Sequence, residues 1–444
     1  MRRLSYIALS VCTLCSVLCT PVSAQDYVRL SERTIMGTAR YVGMGGAMTA
    51  IGGDPSAVMD NTAGLGLYRR TEATLTFDYT YSKATTNAGR LSIFMVPQAA
   101  AVFSFYTGNE EGVRFHNLMF SYNRQYTYNR STRFEGGPTP SMGALFATAE
   151  GDLRIPYCTD RYNAQNGLQL DERGSVNEYA LDWAMNVSDR IYWGLGMRIH
   201  SFSLSSEADY WETFDYVNAQ QKTWYNRNRS TLLLNGAACS FSTGIILRPA
   251  SWLRFGLGLQ TPSFGSVNVI TEGTFDAMTD SLRWSDAPPL NDNVSDFHMP
   301  FRMSTSVAFQ ISHYALISLQ YDLRTYKKIP TTHSLRAGVE IVPINGIYID
   351  LGYAFESTFK KSDPVYAIDP TLRRRDAYYQ YTRWQQYISG GVGYRGRHFF
   401  VQAAYQYHHT RKNVYAHELA TPYHWNDDAH RIVVTIGWHR NRTY

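Results

Sequence analysis

Cysteine is scarce in this chain, with five in 444 residues. Cys12, Cys15 and Cys19 fall within the first 24 positions. The remaining pair, Cys158 and Cys239, cannot staple about 420 residues, which excludes the small disulfide-framework domains. Charge of one sign is lacking too. The formal net charge is +5, and setting Arg2 and Arg3 aside lowers it by two, to +3. That bias is too weak to attract nucleic acid or an acidic partner. Beyond Leu18 no apolar run is long enough for a membrane-spanning helix.

The opening residues form a recognisable unit. Met1-Arg2-Arg3 is basic, Leu4 to Leu18 is apolar, and Pro21-Val22-Ser23-Ala24-Gln25 supplies small residues before a cut site. This is the pattern of an export signal, residues 1–24, cleaved after Ala24. The apolar stretch is too short to remain as an anchor. Neither Cys15 nor Cys19 follows a small residue, so lipidation is not expected. Aromatic residues are abundant, with 33 Tyr and 21 Phe, yet the mean hydropathy is only −0.31. A transmembrane barrel reconciles the two, because one residue in two faces lipid and aromatic girdles mark both interfaces.

Period-two alternation runs through residues 71–444. Ala73, Leu75, Phe77, Tyr79 and Tyr81 oppose Thr74, Thr76, Asp78 and Thr80. Ile191, Trp193, Leu195, Met197 and Ile199 oppose Gly194, Gly196 and Arg198. Ile347 to Phe355, Phe399 to Tyr407 and Ile432 to Trp438 repeat the pattern. Such alternation is the mark of a strand with unlike faces. Roughly fourteen such segments can be counted, an even number as single-chain bacterial barrels require. The connections alternate between short and long. Ser188-Asp189 and Asn345-Gly346 carry turn chemistry, whereas 129–175, 205–235, 273–299, 358–385 and 409–428 read as long loops. Short periplasmic turns and long external loops are the rule for these barrels. The expected fold is therefore all-β: a transmembrane antiparallel barrel of about fourteen strands in the outer membrane of a Gram-negative bacterium. Its terminal strand, ending in Tyr444, is expected to be read by the barrel-assembly machinery.

Residues 25–70 do not alternate. Gly and Ala dominate, with Met44, Met48, Ile51 and Leu65 interspersed. Small residues let backbones approach closely, so this segment is expected to act as a hatch, or plug, in a lumen too wide to close by itself. Its glycine spacing fits neither nucleotide fingerprint. Ala39-Arg40, Gly43-Met44-Gly45-Gly46-Ala47, Asp54 and Asn61-Thr62-Ala63-Gly64-Leu65 resemble the N-terminal hatch of the FadL/TodX family, with Thr62 where that family carries proline. Gly244 to Pro262 is similar to the family's central hairpin, and His333 to Glu340 to a later strand. The resemblance implies a fourteen-stranded barrel, a hatch, and passive transport of a lipophilic molecule from outside to a lateral wall opening. It implies no enzyme, no energy source and no cofactor, and no metal site is expected.

If strand parity is unbroken, Phe94, Val96, Val102, Tyr348, Phe400 and Val433 face the lumen. With Met44, Met48, Ile51, Asn61 and Leu65 of the hatch they make a candidate apolar ligand site. The bland reading is that they pack against the hatch. Pro97 removes a ladder hydrogen bond within its strand, as a lateral gap would require; the bland reading is a proline at a strand end or bulge. Inward charges such as Asp78, Asp182, Arg198, Arg336 and Arg431 are expected to form a network holding the hatch, and an arginine could instead capture a ligand carboxylate. His408, His409, His417, His424 and His430 cluster near the last long loop and raise haem binding as an alternative. Arg373-Arg374-Arg375 is expected to meet lipopolysaccharide phosphates. No nucleophile and base can be paired from the sequence, so no enzyme is expected. A second alternative is a secretion-system partner protein of the same fold.

Overall fold

A computed structural model describes residues 29–84, 90–109, 111–142, 163–217, 223–278, 283–286, 290–312, 314–325, 331–358, 378–417 and 419–440. The export signal, Arg373-Arg374-Arg375 and Tyr444 lie outside these residues. Strands run in chain order as β1 (Glu72–Ala84), β2 (Arg90–Tyr106), β3 (Val113–Thr127), β4 (Arg130–Gly136), β5 (Gln165–Val187), β6 (Ile191–Val217), β7 (Thr223–Ala250), β8 (Leu253–Gln260) and β9 (Phe264–Met278). They continue as β10 (Arg283–Asp286), β11 (Asn291–Phe297), β12 (Phe301–Ser312), β13 (Ala315–Thr325), β14 (Thr332–Ile344), β15 (Ile347–Thr358), β16 (Tyr379–Arg395), β17 (Phe399–Tyr415) and β18 (Tyr423–His439).

Neighbours pair antiparallel throughout, and β1 closes the ring by pairing with β18 as well as β2. Closure matters because an open edge cannot be tolerated in hydrocarbon. β4 prolongs β3 against β5, and β9 prolongs β8 against β7. β11 leads into β12, and β10 folds back on β9. The wall is thus a closed antiparallel barrel of 14 strands.

The long loops expected at 205–235 and 273–299 are largely strand, and β4 and β5 carry strand into both ends of 129–175, as β16, β17 and β18 carry it into 358–385 and 409–428. The reason is an exchange of faces along each strand. In β6, Ile191 through Ile199 point outward and are exposed, as lipid-facing residues are, while Arg198 is buried inside. Above Ser201 the order inverts: Phe202, Leu204, Ala208, Tyr210 and Phe214 are buried, and Ser203, Glu207 and Asp209 face out. Within the bilayer the solvent is apolar; above it the strands stand in water and bury an ordinary apolar interior. An apolar-outside search therefore loses the strand where it leaves the membrane.

Two apolar cores fill that upper region. One gathers Phe134, Leu168, Tyr210, Phe275, Val414 and Trp425. The other gathers Leu30, Phe202, Leu232, Leu234, Phe297 and Met299, where burying each large side chain contributes about 1.5–3 kcal/mol. His417 sits in the first core with its ring edge-on to Tyr210 at 5.5 Å, and neither ring nitrogen has a hydrogen-bond partner. Burial pushes its pKa down from 6.5 to about 4. A histidine held neutral in the fold favours the folded cap above its ordinary pKa, and that contribution is lost as pH falls from 6.5 towards 4, at a cost on the order of 3 kcal/mol. Limited proteolysis of the external cap should therefore accelerate at pH 4.5 relative to pH 7. A His417→Phe variant should lose the acceleration; if it keeps it, another group is responsible.

Candidate functional site

Residues 29–70 run through the lumen, from the upper core at Leu30 to the foot of β1. Short elements fold them locally. Thr38 caps helix α1 (Ala39–Gly43), its side chain accepting from the Tyr41 N–H. Asp54 caps α2 (Pro55–Val58), where Pro55 takes the first helical position without losing a bond. Asn61 caps a 3-10 turn over Thr62–Leu67. Asn61 also donates to the carbonyls of Thr49 at 2.9 Å and Ile245 at 3.2 Å, tying the turn to β7.

The inner wall is shaped to receive this segment. A Cβ on Gly258 would stand 2.0 Å from the Asp60 carbonyl oxygen, one on Gly244 1.8 Å from Asn61 Oδ1, and one on Gly352 2.1 Å from Gly45 N. These wall glycines are inward positions in β8, β7 and β15, so the barrel gives up side chains where backbone meets backbone. Sequence reading recorded Gly194 and Gly196 at inward places without drawing this meaning from them.

Charged pairs complete the attachment. Arg198 is fully buried and reaches Glu178 at 2.7 Å, Asp182 at 3.3 Å and the Val58 carbonyl at 3.0 Å. Asp60 accepts from Tyr41 at 2.6 Å and from Arg302 at 2.9 Å, with Arg336 at 3.2 Å. Arg40 forks onto Glu340. Arg431 joins Asp78 to the Ile35 carbonyl.

The residues proposed for an apolar site divide among several surroundings. Met44, Met48 and Ile51 pack together in one buried cluster. Val102 meets Leu65 in a second, and Val433 meets Ala39 and Val42 in a third. Phe400 lies at the short-turn end under the Arg395 guanidinium, 4.6 Å away, in space left by Gly437. Tyr348 shares the inner face with Asp350 and is half-buried. Phe94 does not face the lumen. It is 68% exposed on the outer face and stacks on Phe77 at 6.1 Å. The cause is a bulge at Val96 and Pro97: Thr76 pairs with Gln98 but Asp78 pairs with Met95. One extra residue reverses side-chain parity above it, so Met95 takes the inward place and Val96 sits half-buried in the bulge.

Pro97 also marks a break in the wall. The β2–β3 ladder stops at Gln98 and Asn123, leaving residues 90–97 of β2 unpaired with residues 124–127 of β3. The N-terminal segment lies behind this seam, where Thr34 N donates to the Gln125 carbonyl at 3.1 Å. Inward of it is a closed pocket of only about 30 Å³, bordered by five arginines and three carboxylates together with Ile35, Met36 and Met59. That volume holds about one water molecule. Among the described residues, two of its arginines, Arg33 and Arg124, form no salt bridge; Arg124 donates to Asn177 at 3.3 Å, and the charges of Glu178 and Asp60 act on Arg33 at longer range. At the short-turn end a wider vestibule of about 410 Å³ opens beside Arg40, Arg254 and Arg395.

The five histidines do not form one site. His408 stacks on Tyr387 at 4.2 Å, His409 bonds Asp428 at 2.6 Å, and His430 bonds Tyr405 at 2.7 Å. His417 is in the upper core, and His424 bonds Asn413 at 3.0 Å. Among the described residues no cluster could hold a metal ion. The haem alternative has no common ligand set to rest on.

No family model matches the chain, and no curated protein matches it. Solved structures do. A FadL homologue of Pseudomonas aeruginosa superposes with a TM-score of 0.58 at 10% identity, covering 92% of this chain and 99% of its own. The toluene transporter TodX of Pseudomonas putida gives 0.56 at 11% identity over 92% and 99%. The toluene transporter TbuX of Ralstonia pickettii gives 0.53 at 13% identity over 92% and 99%. The chain thus has the fold that these FadL- and TodX-type barrels share, at an identity so low that the likeness lies in the fold and not in the sequence.

Proposed function

We propose that this protein is an outer-membrane channel for passive uptake of hydrophobic small molecules, with the N-terminal segment as its plug. The observation that carries this reading is the unpaired β2–β3 seam, with that segment pressed behind it and a pocket of only about 30 Å³ inward of it. A ligand can occupy the lumen only if the segment shifts, and an unpaired stretch of wall is where an apolar molecule can leave sideways without breaking a ladder. The named activities of the neighbouring structures, hydrocarbon and toluene transport, agree in class.

Within that class the pocket favours an amphiphile with an anionic head. Arg33 and Arg124 offer guanidinium groups that no salt bridge occupies among the described residues, and Ile35, Met36 and Met59 offer apolar surface beside them. Arginine suits a carboxylate because its planar fork can bind both oxygens. In proteoliposomes, Arg33→Gln with Arg124→Gln should lower uptake of a labelled fatty acid by about tenfold or more, the effect of one lost charge-assisted hydrogen bond. Uptake of a neutral aromatic hydrocarbon should be unchanged. Equal loss for both compounds, or for neither, would remove the anionic-head reading. Co-purification of protein partners with no uptake of any lipophile would favour the secretion-partner alternative instead.

A further inference from the structure

A second break in the wall lies between β8–β9 and β11–β12. Gln260 pairs with Arg302 below it and Gly265 pairs with Phe297 above it, in one unbroken register. That register places Pro262 directly opposite Pro300. Neither proline has an N–H to give, so this rung has no donor of its own. Pairing is absent over Thr261–Phe264 and His298–Phe301. On its other edge the strand slips by one residue against β7, where Ser242 pairs with Gln260 but Cys239 with Phe264.

Side chains do much of the closing here. Met299 N donates to Ser263 Oγ at 2.7 Å, and the Ser263 carbonyl meets His298 Nδ1 at 2.9 Å. One backbone bond remains, Ser263 N to the Met299 carbonyl at 3.3 Å. Such a seam opens at lower cost than a ladder, because fewer ordered bonds must break together. Both of its sides are apolar. Outside, Phe264 is 60% and Phe241 54% exposed. Inside, Phe297 and Met299 belong to the upper core with Phe202 and Leu30, and Phe297 contacts Phe202 at 4.7 Å between ring centres.

We propose that the wall opens at the Pro262–Pro300 rung, giving a lipophilic molecule dissolved in the outer leaflet a lateral entrance to the upper core, where it displaces Leu30. The inference rests on the uptake reading for its purpose and on the wall geometry for its position. Leu30 belongs to the N-terminal segment, so a molecule taking its place also loosens the segment from above. The entrance lies five wall strands away from the β2–β3 seam.

The test uses Ser263→Cys with Met299→Cys, in a chain whose Cys158 and Cys239 are serine, so that oxidation ties the seam and reduction frees it. A diazirine-bearing fatty acid is supplied within the bilayer of proteoliposomes, and labelled peptides are mapped alongside uptake. Labelling of the Phe202, Phe297 and Met299 peptides should be lost on oxidation and regained on reduction. Labelling that is equal in the two states overturns the entrance, whatever uptake does. Seam-dependent labelling without uptake supports the entrance and sinks the transport reading. If the disulfide does not form, Pro262→Ala with Pro300→Ala restores two donors to the rung and should abolish the same labelling; persistence there overturns the proposal equally.

Discussion

Deleting residues 27–60 should leave a folded barrel that conducts ions steadily in planar bilayers, where the intact protein conducts little. The strands begin at Glu72 and close on themselves through β1 and β18, so none of the wall depends on the deleted chain for pairing. The lumen does depend on it. Fourteen strands enclose a space that side chains alone do not fill, and the wall's inward glycines make it wider still wherever the segment docks. Gly258→Val is the companion variant, since its Cβ falls 2.0 Å from the Asp60 carbonyl oxygen and the segment cannot seat against it. It should conduct as the deletion does while keeping the full chain. If deletion, valine variant and intact protein all conduct alike, the segment is not a plug. The uptake reading would then lose its mechanical basis.

The second large effect is expected at Arg198. Its guanidinium is fully buried between Glu178 and Asp182 and reaches the Val58 carbonyl of the segment. Arg198→Met keeps most of the volume but leaves two buried carboxylates beside each other without the guanidinium that bonds them both. Removing one member of such a group costs about 3–5 kcal/mol, because the charges left behind have neither water nor partner. The variant should lose heat resistance in detergent, and its segment should become open to protease from the short-turn side. Adding Glu178→Gln and Asp182→Asn should restore much of the loss, since neutral amides need no counter-charge. Failure of that rescue would mean that Arg198 acts through packing and its bond to Val58, not through charge.

Much of the wall was legible in the sequence. Alternation in β1, β6, β15, β17 and β18 placed lipid-facing and inward residues correctly, and the parity of turn lengths ordered the strands. Both follow from local rules: side chains alternate along any strand, and a tight turn needs particular residues. The upper halves of β5, β6 and β7 were missed because their faces exchange polarity where the membrane ends. The ligand-site reading failed in one place for a similar reason. Phe94 was assigned by counting from the strand's lower end, and the count was broken by the extra residue at Pro97.

What the sequence by itself determined is the class of the fold, the antiparallel barrel with a small-residue segment left over, because periodicity and composition are properties of neighbouring residues. Only the tertiary structure decided where that segment lies, which glycines it rests on, and where the wall is weak. Pro97 and Pro262 look alike in sequence. One stands at the end of the β2–β3 ladder and the other opposite Pro300, and this difference depends on register between strands. Register is set by closure of the whole ring, which no single strand encodes.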